Sequence, residues 1–419
     1  MNTQEPSIES HPRATGKPVP PHSVQLLSSA PPPAKKQERP AQTAYEIRAF
    51  DAIPRAQWDA FVDGCGEAWI YHLSSFVIEA ERRNNARDKS FAILKNGEIV
   101  AVCALLVRRH GCAFVLTGPG PAFSDTRKNK DVVNLCYERL EEVARENDCV
   151  AIRIWRSSLA PANFGLRYVD TDVTNYGYGC GWWGEMHGFD IGYWVISDLS
   201  RSMDEILGGF DKEYRRYVRR CRDSDITSKI FDGTAGMEKG WDEFYALHVE
   251  TMTRTSGGMM SKEHIDFFQR AVAGQRAILY NAYDKEACVA SVLVLLYKQG
   301  AYYEAGASSK VGLQQKAMIY LLYVAMCDLK ERGIHYFNLG ANIPSHRDTK
   351  WGTIGDFKRK FSTLRWDALV LEKITNRDAY FWRLIVPLSL RIQVSESRHL
   401  RHVLVPLRAV RRFLRSRLG

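Results

Sequence analysis

The sequence predicts a mixed α/β (α+β) protein built from two sister domains in tandem, and three observations carry that prediction. The order hairpin, strand, glycine-bearing loop, helix, strand is legible twice, once between residues 90 and 154 and again between 277 and 339. The segments FAILKNGEIVAVCALL and ILYNAYDKEACVASVLVLL, which open the two copies, resemble one another directly. The repeat distance is about 185 residues, too long for a solenoid unit and right for a domain.

The elements follow from local pattern. Residues 1–43 hold PVPPHSV and SSAPPPAKKQERP, are poor in apolar periodicity, and are expected to be disordered. TAYEIRAF then alternates as a strand, and Pro54 opens a helix carrying Trp58, Phe61 and Val62 on one face. Residues 76–83 form a second helix. Residues 90–94 and 99–108 form a hairpin around Asn96-Gly97, the strongest short turn signal. A strand at 113–116 is expected to stop at Gly118-Pro119-Gly120-Pro121. An amphipathic helix spans 131–147, and a short apolar strand spans 150–154. In the second copy, 277–283 and 287–297 make the hairpin, 300–306 the strand and 317–331 the helix. Residues 334–339 make the closing strand, expected to turn at Gly340.

Between the copies, 201–222 reads as one helix with two characters. Phe210, Tyr214, Tyr217, Val218 and Cys221 make an apolar stripe, while Lys212, Arg215, Arg216, Arg219 and Arg222 occupy another side. Like charges one turn apart repel, so the basic face is either solvated or a phosphate-binding ridge. The C-terminal end repeats the theme: Arg408, Arg411, Arg412 and Arg415 share a helical face opposite Leu407, Val410, Phe413 and Leu414. Residues 400–418 are therefore either an anchor for an anionic membrane surface, an arm for tRNA phosphates, or a helix packed on the second domain. The organisation expected is a disordered segment (1–43), a first domain (44–197), a basic helix plus second domain (198–373) and a basic helical tail (374–419).

Composition narrows the chemistry. The 419 residues carry a formal charge of +10, which suits an anionic partner. Nine cysteines are scattered, odd in number and free of CxxC spacing, so reduced buried thiols are expected and a metal or redox motif is not. No apolar run is long enough to span a bilayer. A cytoplasmic protein is expected, with its tail as a peripheral contact at the inner face of the plasma membrane.

One stretch concentrates chemistry: IHYFNLGANIPSHRDTKWGTIGDFKRKFS, residues 334–362. An apolar strand runs into a polar glycine-bearing loop and then into Phe357-Lys358-Arg359-Lys360-Phe361. Strand ends followed by such loops are where ligands bind in open α/β sheets.

With DLSRSMDEILGGFDKEYRRYVRRCRDSDI, AYYEAGASS, and HYFNLG followed at a fixed distance by GDFKRKFS, residues 45–373 resemble the FemA/FemB/FemX-like (peptidoglycan-bridge) aminoacyltransferases of the GNAT-like acyltransferase superfold. The resemblance implies two tandem GNAT-like domains, a cleft between them and transfer of an acyl group to an amine. It implies that Lys358, the lysine of the Phe-Lys pair, stabilises negative charge at the donor site. Glu304, Asp356 and His335 are base candidates by position. Arg215, Arg216 and Arg219 would hold phosphates, and Tyr303, Gly306, Ser308, Asn338, Gly340, Phe357 and Phe361 would line the cleft. The acceptor implied is an amine of a cell-envelope precursor, peptidoglycan or surface polysaccharide. No bound cofactor is implied, and the donor is aminoacyl-tRNA or acyl-CoA.

Two departures weigh on the choice. Relatives that bind a nucleotide-linked peptidoglycan precursor carry a lysine in the first domain's early helix, whereas residues 72–81 here carry acids. The loop before the 317–331 helix, Lys310-Val-Gly-Leu-Gln-Gln-Lys316, has one glycine rather than the glycine-rich cradle for a CoA pyrophosphate. That favours aminoacyl-tRNA, or another activated acyl donor. The alternatives are an acyl-CoA-dependent acetyltransferase of exopolysaccharide or lipid biosynthesis, and a non-catalytic RNA- or membrane-binding protein.

Overall fold

The computed structural model describes residues 45–124, 129–155, 159, 176, 178, 193–233, 237–342, 350–362, 364–367 and 370–385. The expectations for 1–43 and for 386–419 lie outside them.

The first half is built from β1 (Tyr45–Ala49), α1 (Arg55–Gly64), α2 (Ser74–Asn84), β2 (Arg87–Asp88), β3 (Phe91–Lys95), β4 (Glu98–His110), β5 (Ala113–Phe123), α3 (Lys130–Glu146) and β6 (Cys149–Trp155). The hairpin between β3 and β4 turns where expected, with Asn96 and Gly97 both at positive φ. The second half comprises β7 (Tyr193–Asp198), α4 (Met203–Gly208), α5 (Lys212–Arg222), β8 (Ile226–Phe231), α6 (Met237–Thr255), α7 (Lys262–Ala273), β9 (Ala277–Asp284) and β10 (Ala287–Tyr297). It continues through β11 (Gly300–Ser308), α8 (Lys310–Gln315), α9 (Ala317–Glu331), β12 (Tyr336–Asn342), α10 (Lys350–Arg359), β13 (Arg365–Asp367) and β14 (Val370–Ile374).

Two sheets result. The first runs β1-β3-β4-β5-β6-β14 with β2 on β4, and the second runs β13-β7-β12-β11-β10-β9-β8. The expected α/β (α+β) class with two similar halves is what the chain adopts: each sheet carries a parallel pair, β5 with β6 and β11 with β12, bridged by a helix.

Several sequence-based boundaries are corrected. A cut at residue 198 separates β7 from the sheet it joins, and β14 returns to pair with β6 in the first sheet. The chain therefore crosses between its halves twice, which local patterning cannot reveal. The strand expected to stop before Gly118 continues through Gly118-Pro119-Gly120-Pro121 to Phe123. Pairing with β6 ends at Gly118, so the prolines lie on an edge stretch held by β4 alone. The single helix expected over 201–222 is two. Ser202 and Glu205 form a capping box for α4, Gly209 follows it, and the Asp211 carboxylate accepts from the Glu213 N–H to start α5. The closing strand does not turn at Gly340. It runs on to Asn342, and Gly340 (φ +104°) sits where the register against β7 shifts between Asn338 and Ala341. The Phe-Lys cluster straddles the C-terminal end of α10, Phe357 to Arg359 in its last turn and Lys360 and Phe361 just beyond it. Helices α6 and α7 were not expected.

One apolar core runs through both halves. Trp58, Val62, Trp69 and Phe76 from the first join Trp241, Phe244, Phe267 and Tyr302 from the second. The Phe76 and Phe267 rings meet edge-on at 4.9 Å, and Tyr297 donates its hydroxyl to the Val62 carbonyl at 2.8 Å. Burial of this kind, at roughly 25 cal/mol per Å² of apolar surface, fixes the two sheets against each other. Among the described residues no helix is long and apolar enough to cross a membrane.

Candidate functional site

β11 and β12 pair over three residues only, Gly300–Tyr302 against Tyr336–Asn338. Beyond that point their ladder ends and the C-terminal parts of both strands separate. Helix α10 lies against β12 beside this opening. Gly355 permits the close approach, since a Cβ there would come within 2.9 Å of the Asn342 side chain. The result is that Lys358, near the C-terminal end of α10, projects its ammonium into the gap.

Two glycines clear the space. A Cβ on Gly340 would land on Lys358 Nζ, and a Cβ on Gly306 would land on the Tyr303 hydroxyl. Lys358 Nζ stands 5.0 Å from the Tyr303 ring centre, within cation–π range. Asn338 Oδ1 accepts from the Gly340 N–H at 2.7 Å and pins the bulge under the lysine.

The neighbouring residue on β11, Glu304, joins this site to the first half. Tyr71 donates its hydroxyl to Glu304 Oε2 at 3.0 Å, and Arg83 Nη1 lies 3.9 Å from Oε1. Burial pushes the Lys358 ammonium down to about 8, with the Glu304 charge opposing the fall. Burial also raises Glu304, against the pull of Arg83, the Tyr71 hydrogen bond and Lys358. The Tyr303 phenol is driven up to about 12 by burial and stays neutral. At neutral pH the site thus presents a poorly solvated cation beside a carboxylate of enhanced basicity. A developing oxyanion and a departing proton need those two groups.

Of the three base candidates, Glu304 alone is electrostatically coupled to Lys358. The Asp356 carboxylate is held by Arg359 at 2.7 Å on the exposed side of α10. His335 is exposed and precedes β12, five residues before Gly340, roughly 16 Å away along the strand at its usual rise. Ser308 is buried, and its carbonyl accepts from Thr251 and from Arg254 at 2.9 Å, tying β11 to α6.

Two expectations for binding residues, Phe361 and Arg215, are corrected by packing. Phe361 is 1% exposed and sits among Phe210, Tyr214 and Phe357, so it is core rather than cleft wall. Phe357 is half-buried and braces the same cluster. Arg215 donates Nη1 to the carbonyls of Gly208 and Phe210, at 2.7 and 2.9 Å, closing the joint between α4 and α5. Arg216 and Arg219 stay exposed, Arg216 stacking over Tyr217.

Sequence reasoning missed Tyr71 and Arg83. Neither lies in a motif, and their place follows only from the docking of the halves. The stretch 310–316, expected as a loop before the 317–331 helix (α9), is instead the short helix α8, followed by Lys316 in a left-handed turn. Ser309 Oγ accepts from the Gly312 N–H, and the Glu250 carboxylate accepts from the Lys310 N–H at 3.0 Å. Two of the first amides of α8 are thereby taken by the chain's own side chains, one of them acidic, whereas no side chain caps α9 at Lys316.

Residues 209–358 match the family profile described as Acetyltransferase (GNAT) domain, which begins at the α4–α5 joint and ends on Lys358. Among solved structures, FemX is similar over 80% of this chain and 99% of its own, at 16% sequence identity and a TM-score of 0.60. The chain has a Fem-like, tandem GNAT fold. A chain described as the C-terminal domain of a lysylphosphatidylglycerol synthetase from Agrobacterium fabrum is similar over 78% of this chain and 93% of its own, at 13% identity and a TM-score of 0.51. No curated protein sequence matches. In this Fem-like fold the profile covers the half that holds Lys358 and Glu304, whereas Tyr71 and Arg83 come from the half outside it.

Proposed function

We propose that the protein is an N-acyltransferase of the Fem type, moving an aminoacyl or acyl group onto an amine of a cell-envelope precursor. The observation that carries this reading is that the Lys358 ammonium stands over Tyr303 on β11, 5.0 Å from the ring centre, with the carboxylate of the next residue, Glu304, close enough to feel its charge. In the reaction, the neutral acceptor amine attacks the activated carbonyl. The carbon–nitrogen bond forms and the carbonyl oxygen takes negative charge. The Lys358 ammonium stands to stabilise that charge, an effect worth several kcal/mol in a site shielded from water. Glu304 takes the proton released by the amine and passes it to the leaving oxygen as the old acyl bond breaks. Tyr71 and Arg83 orient the carboxylate from the opposite half.

For the donor, we favour aminoacyl-tRNA. The stretch before α9 carries one glycine and is folded as α8, where Glu250 and Ser309 take the Lys310 and Gly312 amides and the Glu250 carboxylate would repel a phosphate. The exposed Arg216 and Arg219 remain for phosphates of a larger donor. The acceptor's identification as an envelope precursor rests on fold likeness to FemX and to the lysylphosphatidylglycerol synthetase domain. A cytoplasmic setting, with residues 400–418 against an anionic membrane, fits such an acceptor.

The experiment supplies the purified protein with mixed aminoacyl-tRNA or with acyl-CoAs, each with envelope-precursor extract, and follows loss of donor. Acceptor-dependent loss of aminoacyl-tRNA, reduced at least about a hundredfold in Lys358→Ala, supports the proposal. Thiol release from acyl-CoA would move the protein to the acetyltransferase alternative. Unchanged turnover in a folded Lys358→Ala protein would refute the assigned role.

A further inference from the structure

Between the halves, against Glu304, lies a cavity of about 100 Å³. Its walls are mostly apolar and come from both sides, with Phe76, Leu106, Pro119 and Trp155 from the first half and Phe267 and Phe268 from the second. Two arginines line it, Arg83 from α2 and Arg108 from β4. The reaction outlined above assigns no role to Arg108.

Among the described residues that line the cavity, two arginines face two glutamates, and both glutamates are already engaged. Glu79 also lines it, but both its oxygens are gripped by Arg82, with the Arg82 Nη2 contacts at 2.9 Å. Glu304 takes the Tyr71 hydroxyl and the loose approach of Arg83. His264 supplies no charge. Its Nε2 receives Arg83 Nη1 at 3.3 Å, and burial with two adjacent arginines pushes its pKa down to about 4. Arg108 makes no side-chain hydrogen bond or ion pair among the described residues, although it is half-buried and repelled by Arg83. The nearby Arg153 is committed to Glu372. A half-buried guanidinium with no partner among the described residues, held near a second one, keeps its fork free for an anion.

We infer that Arg83 and Arg108 form an oxyanion subsite in this cavity, and that the acceptor carries a small carboxylate or phosphate flanked by apolar surface. The inference deepens the acyltransferase reading and rests on it for assigning the anion to the acceptor. The cavity volume sets the scale. Sites for whole drug-sized ligands run to several hundred Å³, so this one takes a headgroup while the rest of the acceptor lies outside. Arginine forks suit either anion, because planar donors meet two oxygens at once. The apolar walls strengthen that contact by excluding water. An anion seated here places the remainder of its molecule beside Glu304, where an attacking amine would lose its proton.

The test measures binding rather than turnover, by titration calorimetry on the full chain at constant ionic strength. The probes are phenyl phosphate, phenylacetate and neutral phenylacetamide. Saturable binding of one or both anions, with the amide silent, is expected. Arg108→Gln and Arg83→Gln should each weaken it at least about tenfold. Arg108→Lys, which keeps the charge but loses the fork, should weaken it less and guards against an unfolded Gln variant. Whichever anion binds names the chemistry. Equal binding of the amide, or wild-type affinity in both Gln variants, or no saturable anion binding, overturns the subsite. Lys358→Ala should bind the anions as wild type does. Intact turnover in Lys358→Ala together with lost anion binding in Arg108→Gln would therefore sink the catalytic reading and leave the subsite standing.

Discussion

The ammonium of Lys358 rests over the face of Tyr303, 5.0 Å from the ring centre, and the space it occupies is the space a side chain on Gly340 would need. The position of the cation is thus decided by a missing methyl group on a neighbouring strand. Gly340 also adopts φ +104°, a conformation that L side chains rarely adopt.

Gly340→Ala should therefore fail twice. It should lower stability by about 2 kcal/mol or more through backbone strain, and it should drive Lys358 off Tyr303. Denaturant unfolding measures the first effect. Turnover measures the second, and a variant that recovers stability in a more stable background yet stays inactive would separate them. Wild-type turnover in Gly340→Ala would contradict the placement of Lys358.

The pH profile of kcat/KM should fall on the alkaline side near pH 8. Burial has brought the Lys358 ammonium down to about 8, and the charged form is the one that stabilises an oxyanion. On the acid side, activity should rise as the raised Glu304 carboxyl loses its proton, at a pH above the ordinary carboxylate range. Lys358→Arg keeps its charge at all accessible pH. It should abolish the alkaline fall whatever its absolute rate, and a profile that keeps that fall would assign it to another group.

Stability should move in the opposite direction from activity. The folded-state pKa of Lys358 lies below the ordinary value of 10.5. Between about pH 8 and 10.5 the unfolded chain therefore binds more protons than the folded one, and stability rises with pH across that window. Lys358→Met removes the buried charge. It should raise stability at pH 7 by an amount on the order of 2 kcal/mol and flatten the rise. Melting temperatures of the two proteins at pH 7 and pH 10 decide it. A destabilised Lys358→Met protein would mean that the ammonium is better solvated than its surroundings suggest.

Phe361→Ala should act on the fold rather than on ligand. The ring is buried against Phe210, Tyr214 and Phe357, and large-to-small changes at such positions cost about 3–5 kcal/mol. Arg216→Ala and Arg219→Ala should leave the melting temperature within a degree or two, about the size of other exposed substitutions. Any loss these two show would fall on donor binding, measured as KM for the charged tRNA.

The residue pattern alone made legible the two similar halves, the hairpins, the helix opened at Pro54 and those expected over 131–147 and 317–331, and with the family resemblance it nominated Lys358, Glu304 and Gly340 as site candidates. Those features are local: alternation, helical spacing, an Asn-Gly turn, and a motif contiguous along the chain. Tertiary structure decided the rest. Phe361 reads like a cleft residue from its motif and is core, because α5 lies over it. Arg215 reads like a phosphate ligand and is a helix-joint clamp, because the chain breaks at Gly209. Tyr71 and Arg83 carry no motif, yet they meet Glu304 across more than two hundred residues of sequence. Burial, and with it every shifted pKa at the site, depends on which surfaces the two sheets press together. The side chains that achieve this, from Trp58 to Tyr302, are individually ordinary apolar residues whose partners no local pattern names.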